Sequence, residues 1–350
     1  MKKTMSFLLI SLSIIFLNIA QASRIKGDET VLFFPGNAYL KGGTWVVPVH
    51  GWIFEQEEGS RWRRKMLDSL PSLLEIEPND SNRAIYEQRT RMFLVDNEHR
   101  KKIEVEMLGK RFTMKPSQDN GHFYGEFHIA NNGQKSWQTF QAVTQKNDPR
   151  LFEGKAQFIP HEGISVISDI DDTIKISNVK DKQALLKNTF FKAFEAVPEM
   201  AAVYQAWQKQ GAVFHYLSAS PWHLYPALSE FITASGFPEG SYNLKNFRVK
   251  DQSFFNLFSS QSEYKKPILE ALFKKYPKRQ FILVGDAGEE DPEIFATLAR
   301  LYPKQVLHIF IRDLNLKENQ LRYQETFKGI PAERWSIFRD GHQLLDFKFN

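Results

Sequence analysis

Ile164-Ser-Val-Ile167-Ser168-Asp169-Ile-Asp171-Asp172-Thr173 is the stretch whose reading sets the architecture. A short apolar run leads directly into a cluster of acids. That is the pattern of a strand buried on both faces and ending in a polar loop. Toward the C-terminus, residues 213–217, 281–284 and 306–311 form further apolar runs, separated by helical patterns at 183–208, 223–235, 267–276 and 292–302. Strands alternating with helices predict an α/β domain with a doubly wound parallel sheet. In such sheets ligands bind beyond the carboxyl ends of the strands, so chemistry is expected where these runs stop.

Toward the N-terminus the pattern changes. Between residues 31 and 157, short alternating runs such as Thr44-Trp-Val-Val-Pro-Val-His50, Lys102-Ile-Glu-Val-Glu-Met107 and Phe123-Tyr-Gly-Glu-Phe-His-Ile129 are separated by turns, notably Ser117-Gln-Asp-Asn-Gly121. Half-buried antiparallel strands in a β-sandwich-like domain are the natural reading, with an amphipathic helix inserted at 61–74. The chain of 350 residues thus divides into a leader at 1–22, a β-rich domain at 23–158 and an α/β domain at 159–350. The leader reads as a secretory signal: Met1-Lys-Lys3, an apolar stretch at 7–19, and Ala20-Gln-Ala22 before Ser23. Its apolar core is shorter than the roughly 20 residues needed to span a bilayer. The expectation is therefore an exported protein, periplasmic or secreted, with no transmembrane span after cleavage.

With 42% hydrophobic and 25% charged residues the composition is that of a globular protein with substantial cores. Loss of Lys2 and Lys3 lowers the formal charge from +5 to +3, which demands no nucleic-acid partner and suits an anionic substrate or membrane surface. The absence of cysteine excludes disulfides and thiolate metal sites.

The strand ends carry Asp169, Asp171, Asp172 and Thr173, then Ser218, then Gly285-Asp286 with Asp291, and a helix start between the last two strands carries Lys265 and Lys266. This inventory fits phosphoryl transfer. A carboxylate, Asp169, attacks a phosphomonoester to give an aspartyl-phosphate. A second, Asp171, serves as acid toward the leaving alcohol and as base toward water. Two anions approach only with a cation between them, and Mg²⁺ prefers hard oxygens. Asp169, Asp286 and the backbone carbonyl of Asp171 are the expected metal ligands, while Ser218 and Lys265 face the phosphate and Thr173 orients the loop or its backbone amide. Other readings compete: Asp-Ile-Asp-Asp alone reads equally as a solvated turn, and the coincidence of several strand ends shifts the balance to a site. A calcium loop of the Asp-x-Asp-x-Asp-Gly kind fails because Ile174 and Lys180 occupy its glycine and bidentate-glutamate positions. Asp291 precedes Pro292 and also reads as a helix N-cap, a role compatible with the site. Either of Lys265 and Lys266, taken alone, reads sooner as part of a charged helix face. Ser220 and His223 lack the Gly-x-Ser-x-Gly elbow of a serine hydrolase.

Taken in order, Asp169-x-Asp171-x-Thr173, Ser218, Lys265 and Gly285-Asp286-x-x-x-x-Asp291 resemble the four motifs of the haloacid dehalogenase superfamily. Ser168-Asp-Ile-Asp-Asp-Thr-Ile174, Tyr216-Leu-Ser-Ala-Ser-Pro-Trp222, Gly236-Phe-Pro-Glu-Gly240, Val284-Gly-Asp-Ala-Gly-Glu-Glu-Asp-Pro-Glu-Ile294 and Ile311-Arg-Asp313 further resemble the catalytic domain of the actin-patch type of phosphatidate phosphatases, a family related to the lipins. The resemblance implies a Rossmann-like haloacid dehalogenase fold and hydrolysis of phosphatidate to diacylglycerol with Mg²⁺. It implies Asp169 as nucleophile, Asp171 as general acid and base, Thr173 and Ser218 at the phosphate, Asp286 as a metal ligand and Asp291 in support. It also favours Lys265 over Lys266, because Lys265 lies twelve residues before Pro277. Lys245-Asn246 departs from the family's Arg-Asp and softens the substrate assignment. The same chemistry on a soluble phosphomonoester is the alternative; an inert lipid- or protein-binding module is disfavoured by the complete motif set. For access to a lipid, the lysine-rich segment 179–199 is short for a cap, and Phe254, Phe255 and Phe258 are placed beside the site.

Overall fold

A computed structural model describes residues 25–56, 61–77, 79–134, 136–247 and 262–349. The leader at 1–22 and the three phenylalanines Phe254, Phe255 and Phe258 lie outside the described residues. Among those described, no helix is long and apolar enough to cross a membrane.

The N-terminal half holds β1 (Glu29–Phe34), β2 (Gly36–Lys41), β3 (Thr44–Glu55), β4 (Asp96–Asn97), β5 (Glu104–Met107), β6 (Lys110–Thr113), β7 (His122–Ala130), β8 (Ser136–Ala142) and β9 (Glu153–Phe158). These strands hydrogen-bond in the order β1-β3-β2-β9-β8-β5-β6, with β4 and β7 also paired to β3. The long β3 organises them, running antiparallel to β7 from Thr44 opposite Ala130 to Trp52 opposite His122. Its Gly51 is required by close packing, because a Cβ there would lie 2.3 Å from the ring of Phe123. Phe33, Val47, Phe123, Phe127, Phe140 and Phe158 form the core of this half.

The expected helix at 61–74 is two short ones, α1 (Arg61–Asp68) and α2 (Leu70–Leu73), broken just before Pro71. A third, α3 (Asp80–Leu94), escaped the sequence pattern; it starts from a reciprocal cap between Asn79 and Asn82. This insert fills the joint between the two halves. Phe93 stacks on His223 with centroids 4.5 Å apart, and Arg89 donates to the Thr189 carbonyl and covers the Phe194 ring at 3.4 Å. One apolar cluster accordingly runs from Trp52, Phe54 and Phe93 into Phe190, Tyr204 and Trp222.

The second sheet contains β10 (Ile164–Asp169), β11 (Val213–Pro221), β12 (Gly240–Lys245), β13 (Gln280–Asp286), β14 (Val306–Arg312) and β15 (Trp335–Phe338), in the order β12-β11-β10-β13-β14-β15. Every neighbouring pair is parallel. Alternate residues of the central strands enter two separate cores. Val166, Phe214, Tyr216, Ile282, Val284 and Phe310 face one side, and Ile167, Leu217, Phe281, Leu283, Ile309 and Ile311 the other. Both faces are covered, which is why the runs are apolar at consecutive positions. Strand order reverses between β10 and β13, so their carboxyl ends flank a crevice.

The helices of this half are α4 (Lys182–Phe190), α5 (Met200–Lys209), α6 (Tyr225–Ala234), α7 (Ser262–Lys275), α8 (Asp291–Leu301) and α9 (Leu316–Thr326). The continuous helical pattern expected at 183–208 is split. Pro198 cannot continue a helix, and Glu199 adopts a left-handed φ of 59°. The freed segment pairs instead with the loop after β10, through Ile176 N–H to the Glu195 carbonyl and Val197 N–H to the Ile174 carbonyl, both 2.9 Å. Helix α7 begins a turn before the expected Pro267, which places Lys265 inside its first turn.

Candidate active site

Three elements converge at the crevice. Asp169 ends β10, Asp286 ends β13, and Lys265 reaches in from α7; each is at most 2% exposed. Lys265 Nζ lies 2.8 Å from Asp169 Oδ1, 2.8 Å from Glu289 Oε2 and 2.6 Å from Asp291 Oδ1. Its three ammonium donors are thereby matched to three carboxylates. Thr173 Oγ1 donates to Asp169 Oδ2 at 3.3 Å. Gly285 permits the approach of Asp291, since a Cβ on it would lie 2.4 Å from Asp291 Oδ2. Asp291 is therefore not the N-cap its sequence context suggests. Glu290 occupies that position without a side-chain bond, while Asp291 is the first helical residue and gives its carboxylate to Lys265 and, at 3.4 Å, to the backbone N–H of Asp286.

The electrostatics of this cluster are unbalanced. Burial, together with Asp291 and Asp169, pushes the Asp286 carboxyl well above the usual range. Burial does the same to Asp169 and Glu289 against the opposing charge of Lys265. Burial alone would lower the Lys265 ammonium, but Asp169, Asp291 and Glu289 raise it well above its ordinary value. Asp286 Oδ1 accepts from Gly288 N–H at 2.6 Å, whereas Asp286 Oδ2 is buried with no hydrogen-bond partner among the described residues. Ligand atoms from Asp169, Asp286, Glu289 and Asp291 lie within 4.8 Å of one another. Four carboxylates around one lysine, with a buried carboxylate oxygen left over, are a donor set that fits a hard divalent cation.

Asp171 belongs to a different network. Its Oδ2 accepts from Ser218 Oγ at 2.9 Å and Ser220 Oγ at 3.1 Å; its Oδ1 accepts from Ser177 Oγ and pairs with Lys175 Nζ, both at 2.8 Å. Burial would raise this carboxyl, but the Lys175 charge and the hydroxyls hold it down to about 2, so it is ionised at neutral pH. The loop that carries it is fixed by Asp172. That residue has a left-handed φ of 53°, and its carboxylate accepts the backbone N–H groups of Ser177, Asn178 and Val179 at 2.7, 2.9 and 2.6 Å. Arg312 Nη1 donates to the Asp172 carbonyl at 2.7 Å.

The structure thus gathers Asp169, Thr173, Lys265, Asp286 and Asp291 around one point, with Asp171 and Ser218 beside them. The side chain of Asp171 stands outside the carboxylate cluster, leaving only its backbone carbonyl for the ligand role expected of it. Lys266 is exposed on α7, away from the cluster that holds Lys265. Sequence reasoning gave no role to Lys175, Ser177, Ser220 or Glu289. Glu289 and Ser220 stood inside the quoted motifs, and their nearness to Asp286 and Ser218 was the only signal for them.

Comparison with known proteins bears on this segment. Residues 164–313 match a family model described as phosphatidate phosphatase APP1, catalytic domain. Over these residues the chain is thus similar to the phosphatidate phosphatase family. Phosphatidate phosphatase APP1 of Saccharomyces cerevisiae is 36% identical over 171 residues, covering 47% of this chain and 28% of that protein. An uncharacterized protein of Schizosaccharomyces pombe is 29% identical over 178 residues, covering 50% of this chain and 29% of that protein. The matched part is less than a third of the length of either relative. Among solved structures, a sialyltransferase from Photobacterium damsela aligns over 67% of this chain and 41% of its own with 11% identity; its TM-score of 0.23 carries no argument. Both carboxylate networks fall within the family segment.

Two cavities are relevant to ligand entry. One of about 310 Å³ opens beside Asp286 and is lined by Asp172, Asn178, Lys180, Gly288 and Arg312. The other, about 700 Å³, lies between the two halves and is lined by aromatic side chains including His50, Tyr124, Trp222, Tyr242 and Tyr264. Either is large enough for part of a small-molecule ligand.

Proposed function

We propose that this chain is an Mg²⁺-dependent phosphatase of the haloacid dehalogenase type, its doubly wound domain preceded by a β-sandwich-like one, and that it hydrolyses phosphatidate to diacylglycerol and phosphate. The observation that carries the reading is the buried cluster of Asp169, Asp286, Glu289 and Asp291 around Lys265, with Asp286 Oδ2 unpartnered. Such a site is poised for a cation and an anionic substrate and is poorly satisfied without them. Similarity to APP1 supports phosphatidate as the substrate. The leader at 1–22 supports action outside the cytosol, in the periplasm or beyond.

In this mechanism Asp169 attacks phosphorus as the bond to the alcohol breaks, giving an aspartyl-phosphate. Asp171, ionised in the free site, takes up a proton as the anionic substrate binds, passes it to the departing alkoxide, and then takes one from the water that cleaves the intermediate. Ser218 and Lys265 hold the non-bridging oxygens, and for each this means exchanging a bond now made to a carboxylate. Asp169 and Asp286, with the Asp171 carbonyl, would hold Mg²⁺, which neutralises charge between carboxylate and phosphate when bound. The lipid head group would enter beside Lys180 and Arg312, basic residues suited to an anionic interface. Incubating the protein with phosphatidate vesicles and Mg²⁺ tests the proposal. Phosphate release that vanishes in Asp169→Asn is expected; release from short soluble esters but none from vesicles rejects the lipid substrate.

A further inference from the structure

The four donors on Asp171 divide into a fixed pair and an exchangeable pair. A carboxylate offers about four lone-pair directions, and Lys175, Ser177, Ser218 and Ser220 occupy as many. On Oδ2 both donors are neutral hydroxyls from the end of β11, whose protons can turn from the carboxylate to a phosphate bound beyond the strand end. On Oδ1 the donors are locked. Lys175 is 1% exposed, its ammonium also bonds Ser177 Oγ, and it lies 4.6 Å from the centroid of the Phe194 ring. Its backbone N–H reaches the Ile170 carbonyl at 3.0 Å, and its carbonyl accepts from Asp172 N–H at 2.7 Å. Ser177 is tied by its N–H to Asp172 and by its carbonyl to Asn188 Nδ2. The segment freed by the break between α4 and α5 closes over this pair through Lys175 and Ala196.

We infer that Lys175, with Ser177, is a positioning residue that pins Asp171 by Oδ1, so that Oδ2 is the oxygen that receives the proton when water attacks the phosphorylated Asp169. The inference rests on the aspartyl-phosphate reading above. In the step concerned, the water oxygen bonds to phosphorus as the bond from phosphorus to the Asp169 oxygen breaks. The Asp169 oxygen keeps the electron pair as carboxylate, and the water proton passes to Asp171 Oδ2. An Asp171 without its Oδ1 anchor turns away from that water. The nucleophile Asp169, held by Lys265 and Thr173, keeps its place.

Lys175→Met in the full chain, assayed with Mg²⁺ and p-nitrophenyl phosphate, separates the two half-reactions, because p-nitrophenolate leaves without needing a proton. The expected result is a p-nitrophenol burst at a rate within about threefold of the unaltered protein. Decay of the phosphorylated enzyme then slows about 10²-fold, the lower end of what a general base contributes. Ser177→Ala, which deletes one neutral donor, should slow the decay about tenfold and serves if Lys175→Met does not fold. Decay within twofold of the unaltered protein overturns the inference, as does loss of burst and decay together in a variant whose near-ultraviolet circular dichroism is native. If the unaltered protein never carries phosphate on Asp169, the mechanism itself fails; if it does and Lys175→Met turns over normally, only the role of Lys175 fails.

Discussion

Replacing Asp286 with Asn should make the metal-free protein more stable while removing its response to Mg²⁺. Asp286 Oδ1 accepts one backbone N–H at 2.6 Å, a bond that an amide oxygen also makes. Its Oδ2 is buried without a partner among the described residues and belongs to a cluster of four carboxylates, the other three of which share Lys265. A buried unsatisfied polar group costs about 1–3 kcal/mol, more when charged, so the substitution should gain about that much in the absence of divalent ions. The sign with pH follows from the raised carboxyls of Asp286, Asp169 and Glu289. Each holds its proton more tightly folded than unfolded, so the metal-free protein loses stability as pH rises above about 4. The gain in Asp286→Asn is therefore larger at pH 8 than at pH 5. With Mg²⁺ at 100 times its dissociation constant the unaltered protein gains about 2.7 kcal/mol, and the variant gains far less. Urea unfolding with EDTA and with Mg²⁺, at both pH values, measures all three quantities. A variant less stable than its parent in EDTA, with the Mg²⁺ response intact, would refute the assignment of Asp286 to a cation site.

Lys265→Met leaves Asp169, Glu289 and Asp291 buried without their cation and should cost about 3–5 kcal/mol in urea unfolding and abolish turnover, whereas exposed Lys266→Ala stays within twofold. Gly51→Ala drives a methyl group against the Phe123 ring and should destabilise the fold by about 1–3 kcal/mol, read as a lowered urea midpoint. Burial lowers the imidazoles of His122, His215 and His223 to about 3. Unfolding lets them take up protons below about pH 6.5, so their contribution to stability, opposite in sign to that of the buried carboxyls, is full above that pH and falls toward pH 3, by up to about 1.4 kcal/mol per pH unit for each. Guanidinium unfolding between pH 7 and 4 checks that slope.

The central strands were legible because both their faces are buried: Val166 and Ile167, or Leu283 and Val284, enter different cores and so are apolar in succession. Their polar ends stood out for the same reason, and Asp169, Ser218 and Asp286 were found there. Edge strand β12, Gly240-Ser-Tyr-Asn-Leu-Lys245, lacks that signature. The break between α4 and α5 was missed because apolar spacing continues across it, while Pro198 and the left-handed Glu199 redirect the chain. Lys175 was invisible for a related reason. Its spacing from Asp171 is that of a surface helix pair, and only the return of 194–197 over the loop buries the two together. Of the two roles read for Asp291, the N-cap one failed although Asp-Pro-Glu is a strong local start signal, because Lys265, 26 residues earlier, takes its carboxylate.

The account turns on Asp169 as the group that carries phosphate. Incubating the protein with ³²P-phosphatidate and Mg²⁺, quenching in acid and mapping the label tests this directly. The prediction is a hydroxylamine-labile acyl phosphate on the peptide containing Asp169, absent in Asp169→Asn. Label on a serine or histidine, or undiminished turnover by Asp169→Asn, would contradict it.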